Sequence, residues 1–153
     1  MRNLFLIGTI VLFISCDNSI VFEKYKSFEN QEWNTDSLVS FDYTITDTIS
    51  TYKLVLNVRY GVEYEYQNLF LFINSEFSRD TIELLLADKS GKWLGSGIGD
   101  IREVKTILAT EEPYSKKENN TIKIEQAMRY GSAEKITNLK FIDAIGISIV
   151  KEE

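Results

Sequence analysis

Over much of the chain, apolar and polar residues alternate one by one. Val39, Phe41, Tyr43 and Ile45 are separated by Ser40, Asp42 and Thr44, the period of a strand with one buried face. After a Thr/Asp/Ser turn at 46–51, Leu54, Leu56 and Val58 repeat the pattern. Residues 68–77, "NLFLFINSEF", are apolar at both parities, as expected of a strand covered on both faces or crossing the centre of a sandwich. "DTIELLLAD" (80–88) is read as a strand after a Ser-Arg-Asp turn. In 103–109, Val104, Ile107 and Leu108 fit a helix face as well as a strand. A polar loop at 110–120 holds the only proline, and strands follow at 121–128 and 141–150, the last with Ile145, Ile147 and Ile149 on one face.

Seven or eight short strands without a long helix predict an all-β, single-domain antiparallel two-sheet sandwich over 37–153, jelly-roll or immunoglobulin-like. A closed barrel with one short helix is the alternative. Residues 16–36 are polar and mixed, and read as a tether with an uncertain first strand near Ile20–Tyr25.

The first residues break this rhythm. Arg2 precedes an apolar run from Leu4 to Ile14, and Ser15 is a small residue of the kind that precedes a cleavage point, so 1–15 reads as a secretory signal. The run falls short of the ~20 apolar residues that span a bilayer. The sole cysteine, Cys16, ends it in "LFISC", the arrangement of a bacterial lipoprotein signal in which the cysteine becomes the acylated first residue. An ordinary cleaved signal with a free thiol is the plainer reading, but an exposed lone thiol is a liability outside the cytoplasm. Each buried methylene contributes ~0.8 kcal/mol, so several acyl chains would hold the protein on a membrane.

Composition narrows the chemistry. The absence of histidine removes the commonest proton-transfer group and metal ligand near neutral pH, and a single cysteine rules out an intrachain disulfide or multi-thiolate site. The formal charge is −6, and no Lys/Arg stripe could follow a phosphate backbone, so nucleic acid is not an expected partner. Neither a metal nor a cofactor is expected, and no catalytic residue is assigned.

Residues 91–100, "GKWLGSGIGD", raise the possibility of a phosphate-cradling loop. The spacing matches neither the Walker nor the dinucleotide pattern, and Asp100 would repel a phosphate. The stretch is therefore predicted to be a turn with Gly91 in the left-handed conformation, followed by a glycine-permitted kink. Asp88 and Asp100 lack the alternating oxygen ligands of a calcium loop between them. Trp33, Tyr64, Tyr66 and Trp93 form either a sugar-stacking platform or ordinary aromatic packing. Trp93, Tyr64 and Tyr66 are the candidate interaction surface.

The stretches "SCD", "VFEKYKSF", "FDYTITD", "YKLVLNVR", "YEYQNLFLFI", "DTIELLLADKSGKWLGSGIGDI", "IEQAMR" and "IGISIV" resemble the GldH family of gliding-motility lipoproteins of the Bacteroidota. The resemblance implies an envelope lipoprotein, expected at the outer membrane. Its implied role is a non-enzymatic structural or assembly component of gliding and of the linked type IX secretion machinery, with other envelope proteins as partners. Only Cys16 carries over as a functional position, the lipid attachment point. A surface glycan-binding sandwich is the alternative. Asp36-Ser37-Leu38, Asp47-Thr48-Ile49 and Asp80-Thr81-Ile82 match the Asp-Ser/Thr-apolar pattern of O-glycosylation in that phylum, a triplet also common at turns.

Overall fold

A computed structural model describes residues 19–75, 79–111, 119–132 and 135–152, without the side chains of 109–111. The signal at 1–15, Cys16 and the loop around Pro113 lie outside these residues.

The described residues form ten strands: β1 (Ile20–Ser27), β2 (Glu32–Asn34), β3 (Val39–Thr44), β4 (Tyr52–Gly61), β5 (Asn68–Asn74), β6 (Arg79–Leu85), β7 (Ile101–Glu111), β8 (Asn119–Gln126), β9 (Asn138–Lys140) and β10 (Ile142–Lys151). One sheet has the order β1-β10-β4-β7, the other β3-β8-β5-β6, and β2 pairs with β9. All pairings are antiparallel. With the β2–β9 pair set aside, the first strand pairs with the last, β3 with β8, β4 with β7 and β5 with β6. This nesting is that of a long hairpin rolled onto itself, which selects the jelly-roll form of the expected sandwich.

The core lies between the sheets. Leu54, Leu56, Val58 and Tyr60 of β4 meet Ile145, Ile147 and Ile149 of β10 and, across the sandwich, Phe41, Leu69, Leu71, Ile122 and Ile124. The alternation legible in the sequence is thus the inward face of each strand.

Three sequence readings are sharpened or corrected. The uncertain first strand expected near Ile20–Tyr25 is β1, running from Ile20 to Ser27, and within the stretch read as a tether Glu32–Asn34 forms a further strand. The ambiguous 103–109 is part of an eleven-residue strand, β7. Its register shifts between Leu54/Ala109 and Val55/Ile107, leaving Leu108 as a bulged extra residue, which mimics helical spacing. In β5 Leu69, Leu71 and Ile73 are buried in the core and Phe70 is half-buried against it, while Phe72 is 42% exposed on the outer face; the strand is an inner one, between β8 and β6, but is not covered on both sides.

The outer face of the first sheet carries a polar clasp. Tyr25 Oη on β1 donates to Glu103 Oε1 on β7 at 2.9 Å, and Arg59 Nε on β4 donates to the same oxygen at 2.9 Å. The Arg59 guanidinium sits 4.1 Å from the Tyr25 ring centre. Beside it, Ser148 Oγ donates to Glu23 and accepts from Asn57 Nδ2. Partial burial, then the hydrogen bond to Glu103, pushes the Tyr25 hydroxyl well above the ordinary tyrosine range.

Candidate functional site at the four-loop end

The roll sorts the connections into two ends. Four link β1 to β3, β4 to β5, β6 to β7 and β8 to β10, and all lie at the end where Gly61 pairs with Ile101 and Tyr60 with Ile142. The opposite end holds Ile20, Lys151, Tyr52 and the 45–51 loop. Every aromatic residue singled out in the sequence falls at the four-loop end.

They do not make an open platform. Trp33 is fully buried, stacked on Phe28 with ring centres 4.9 Å apart, and its Nε1 donates to the Ser37 carbonyl at 3.0 Å. Tyr64 is buried too, at 4% exposure, with its hydroxyl donating to the Asn68 carbonyl at 3.0 Å. Both are withdrawn from any surface, each ring buried and its polar atom satisfied by a backbone carbonyl four residues on.

Trp93, Tyr64 and Tyr66 nevertheless meet in one column, which Trp33 does not join. Trp93 lies 5.5 Å from Tyr60, Tyr60 6.4 Å from Tyr64, Tyr64 5.5 Å from Tyr66 and Tyr66 6.2 Å from Tyr130, all tilted or edge-to-face. Tyr60 and Tyr130 complete it and were not identified from the sequence. Nothing in their local pattern marks them, since nested pairing joins positions far apart in the chain. Tyr60 is fully buried, and its hydroxyl lies 2.9 Å from the Leu86 carbonyl and 2.6 Å from that of Leu94, tying two strand ends to the glycine loop. At the outer end of the column, Tyr130 is 71% exposed. Burial raises the hydroxyl pKa of Tyr60, Tyr64 and Tyr66, so all three stay neutral near pH 7.

The glycine-rich stretch is a turn followed by a lid on β7. The Gly91 N–H donates to the Asp88 carbonyl with Gly91 at φ +83°, as expected of the turn. The Asp88 carboxylate accepts from the Ser90 hydroxyl and the Ser90 and Lys92 N–H groups; the Ser90 hydroxyl bond leads in lowering its pKa. That carboxylate is committed to the turn. Ser96 then exchanges backbone hydrogen bonds with Glu103, and a Cβ at Gly95 or Gly97 would collide with the β7 carbonyls of Glu103 or Ile101. The glycines let this segment lie flat on β7, and Ile98 projects from it at 95% exposure. Among the described residues, no three His, Cys, Asp or Glu side chains gather as a metal site.

Polar clamps fix the other loops. Gln126 Nε2 donates to the Ile136 carbonyl at 2.6 Å while its Oε1 accepts the Met128 N–H, and Thr35 N–H bonds the Thr137 carbonyl at 2.8 Å. The fold and this end together define a class: a jelly-roll domain that carries an aromatic cap opposite the end where its N-terminal strand begins.

The chain belongs to the GldH lipoprotein family, whose profile matches residues 20–149. It is 35% identical over 153 residues to a protein of Christiangramia forsetii named gliding motility lipoprotein GldH homolog, covering 96% of this chain and 93% of the relative. It is 34% identical over 157 residues to the gliding motility lipoprotein GldH of Flavobacterium johnsoniae, covering 99% and 96%. Among solved structures, the subviral particle protein VP2 of infectious bursal disease virus aligns with 95% of this chain and 37% of its own, at 17% identity and a TM-score of 0.38.

Proposed function

We propose that this protein is an envelope lipoprotein of gliding motility, held on the outer membrane by acyl chains on Cys16 and acting through contacts at its four-loop end. In this reading it is an assembly or structural component linked to the type IX secretion machinery, without an enzymatic role. The observation that carries it is the end-to-end similarity to two proteins named gliding motility lipoproteins. The exposed Tyr130 and Ile98 support the choice of surface, since exposed aromatic and aliphatic side chains on a rigid scaffold suit protein contacts. The buried Trp33 and Tyr64 weigh against glycan binding.

Two experiments test the reading. Cys16→Ser is expected to abolish acyl labelling, membrane retention and colony spreading; a variant that still partitions with membranes removes the anchor from the account. Photo-crosslinkers at Tyr130 and Ile98 in gliding cells are expected to capture envelope proteins that a crosslinker at Phe72 does not. Identical capture from all three positions would refute the assignment of the surface.

A further inference from the structure

The end opposite the aromatic cap carries its own apolar tip. Ile49, at the crest of the 45–51 loop, is 86% exposed, and Val21 and Ile20 at the start of β1 are 50% and 38% exposed. A single exposed isoleucine is ordinary on a protein surface. This one stands on a braced loop. The Asp47 carboxylate accepts the Ile49 N–H at 3.0 Å, the Ser50 hydroxyl at 2.7 Å and Lys151 Nζ at 2.9 Å. The Tyr52 hydroxyl donates to the Asp47 carbonyl at 3.0 Å, and Glu152 N–H bonds the Thr51 carbonyl at 2.9 Å.

The chain length outside the described residues says what this tip meets. Lys151 N–H bonds the Ser19 carbonyl at 2.7 Å, so the N-terminal segment remains fastened to β10 as far as Ser19. From Ser19 to Cys16 is three residues, a reach of at most about 11 Å between Cα atoms. A headgroup layer is roughly 5–7 Å deep on each side of the hydrocarbon core. A cysteine whose acyl chains enter that core therefore leaves Ser19, and the end of the sandwich around it, within about one headgroup depth of the bilayer surface. Among the described residues beside this tip, Lys151 pairs with Asp47 at 2.9 Å and Lys53 with Glu152 at 2.7 Å, so these four charges offset one another.

From this we infer that the domain sits directly on the membrane that holds its lipid, with the Asp47-braced loop placing Ile49 in the interface and Val21 beside it. The inference rests on the lipid-anchor reading of Cys16. It makes the jelly roll a post of fixed orientation rather than a tethered ball, with the aromatic cap facing away from the membrane.

The test uses the full-length lipidated protein, in which acylation of Cys16 leaves an introduced cysteine as the sole thiol. Ile49→Cys and, at the opposite end, Ile98→Cys are each labelled with an environment-sensitive fluorophore and reconstituted into phosphatidylcholine–phosphatidylethanolamine vesicles with or without spin-labelled lipid. The label at 49 is expected to shift to the blue and to be strongly quenched by the spin-labelled lipid. The label at 98 is expected to keep its aqueous spectrum. If both remain aqueous while the protein floats with the vesicles, the membrane seat is overturned and the anchor stands. If the protein fails to float, the anchor reading falls and the seat with it.

Discussion

Gly146 lies opposite Tyr25 in the β1–β10 ladder, and the Tyr25 ring lies across it. A Cβ at position 146 would stand 2.5 Å from Cδ1 of that ring and 2.8 Å from Cε1 and Cγ, inside any tolerable carbon contact. The ring cannot slide aside freely, since it is held by the 2.9 Å bond to Glu103 and by the Arg59 guanidinium 4.1 Å from its centre. Gly146→Ala must therefore expel the ring. The overpacking contributes about 1–3 kcal/mol and the lost cation–π contact about 0.5–1. The hydrogen bond to a charged acceptor adds about 1, discounted for partial exposure. Alanine returns about 0.5–1 kcal/mol through its lower unfolded-state entropy in a strand. The balance is a loss of about 3 kcal/mol, within a range of about 1.5–4.5, or a Tm lower by roughly 9 °C for a chain of this size. In a Tyr25→Ala background the obstacle is gone, and Gly146→Ala should become neutral or slightly stabilising. A double-mutant cycle by thermal and urea unfolding measures the coupling. An equal cost in both backgrounds would refute the assignment of Gly146 to the Tyr25 ring.

Trp33→Ala removes a fully buried indole stacked on Phe28 and should destabilise the protein by about 3–5 kcal/mol, whereas Trp33→Phe should cost less; equilibrium urea unfolding of both variants checks the order. The pH response of the 45–51 loop has a definite sign. Hydrogen bonds from Lys151, then Ser50 and the Ile49 N–H, hold the Asp47 carboxyl well below the usual carboxylate range, so its stabilisation is complete above the unfolded value of about 4 and is lost only as pH falls through the lower folded value. The Ile49 and Ser50 amide NMR shifts should therefore move only in strong acid, and in Asp47→Asn they should already be displaced at neutral pH. The same titration in both proteins would show that Asp47 does not brace the loop.

The strands whose alternation was clear in the sequence are those with an unbroken inward row, such as Val39–Tyr43, Leu54–Val58 and Ile145–Ile149. Where reading failed, geometry explains why. The Leu108 bulge converts a period of two into an apparent helical face, and β2 and β9, at three residues each, are too short to carry a period at all. Phe72 misled because its apolar character serves the outer face, a choice that alternation does not encode. The aromatic cap was half legible: Trp93, Tyr64 and Tyr66 stood out, but the column depends on Tyr60 and Tyr130, which only the nested pairing brings to the same end. The glycine loop was recognised as a turn and kink because each glycine answers a local demand, a positive φ at Gly91 or close backbone approach at Gly95 and Gly97.

If lipid on Cys16 holds the protein at one end and partners engage the other, as proposed, the roll has a mechanical consequence. β4 is ten residues long, a span of about 30 Å, and β1, β10 and β7 run beside it between the two ends. With lipid on Cys16, the anchor enters through β1, which pairs with β10 along nearly its whole length from Ile20 to Ser27. A pull on the cap directed away from the membrane loads this ladder along the strand axis, so its hydrogen bonds share the force instead of opening one after another. The weak point is that β1 is an edge strand, with a pairing neighbour on only one side. The Tyr25–Glu103 bond addresses that weakness, because it reaches over β10 and β4 to fasten one edge of the sheet to the other. Gly146 is the residue that lets it pass. Expelling the Tyr25 ring should therefore loosen β1, and with it the attachment of the domain to its anchor, while leaving the cap intact. Under force applied between the lipid and the cap, detachment of β1 should come first in Gly146→Ala and later in the wild-type protein.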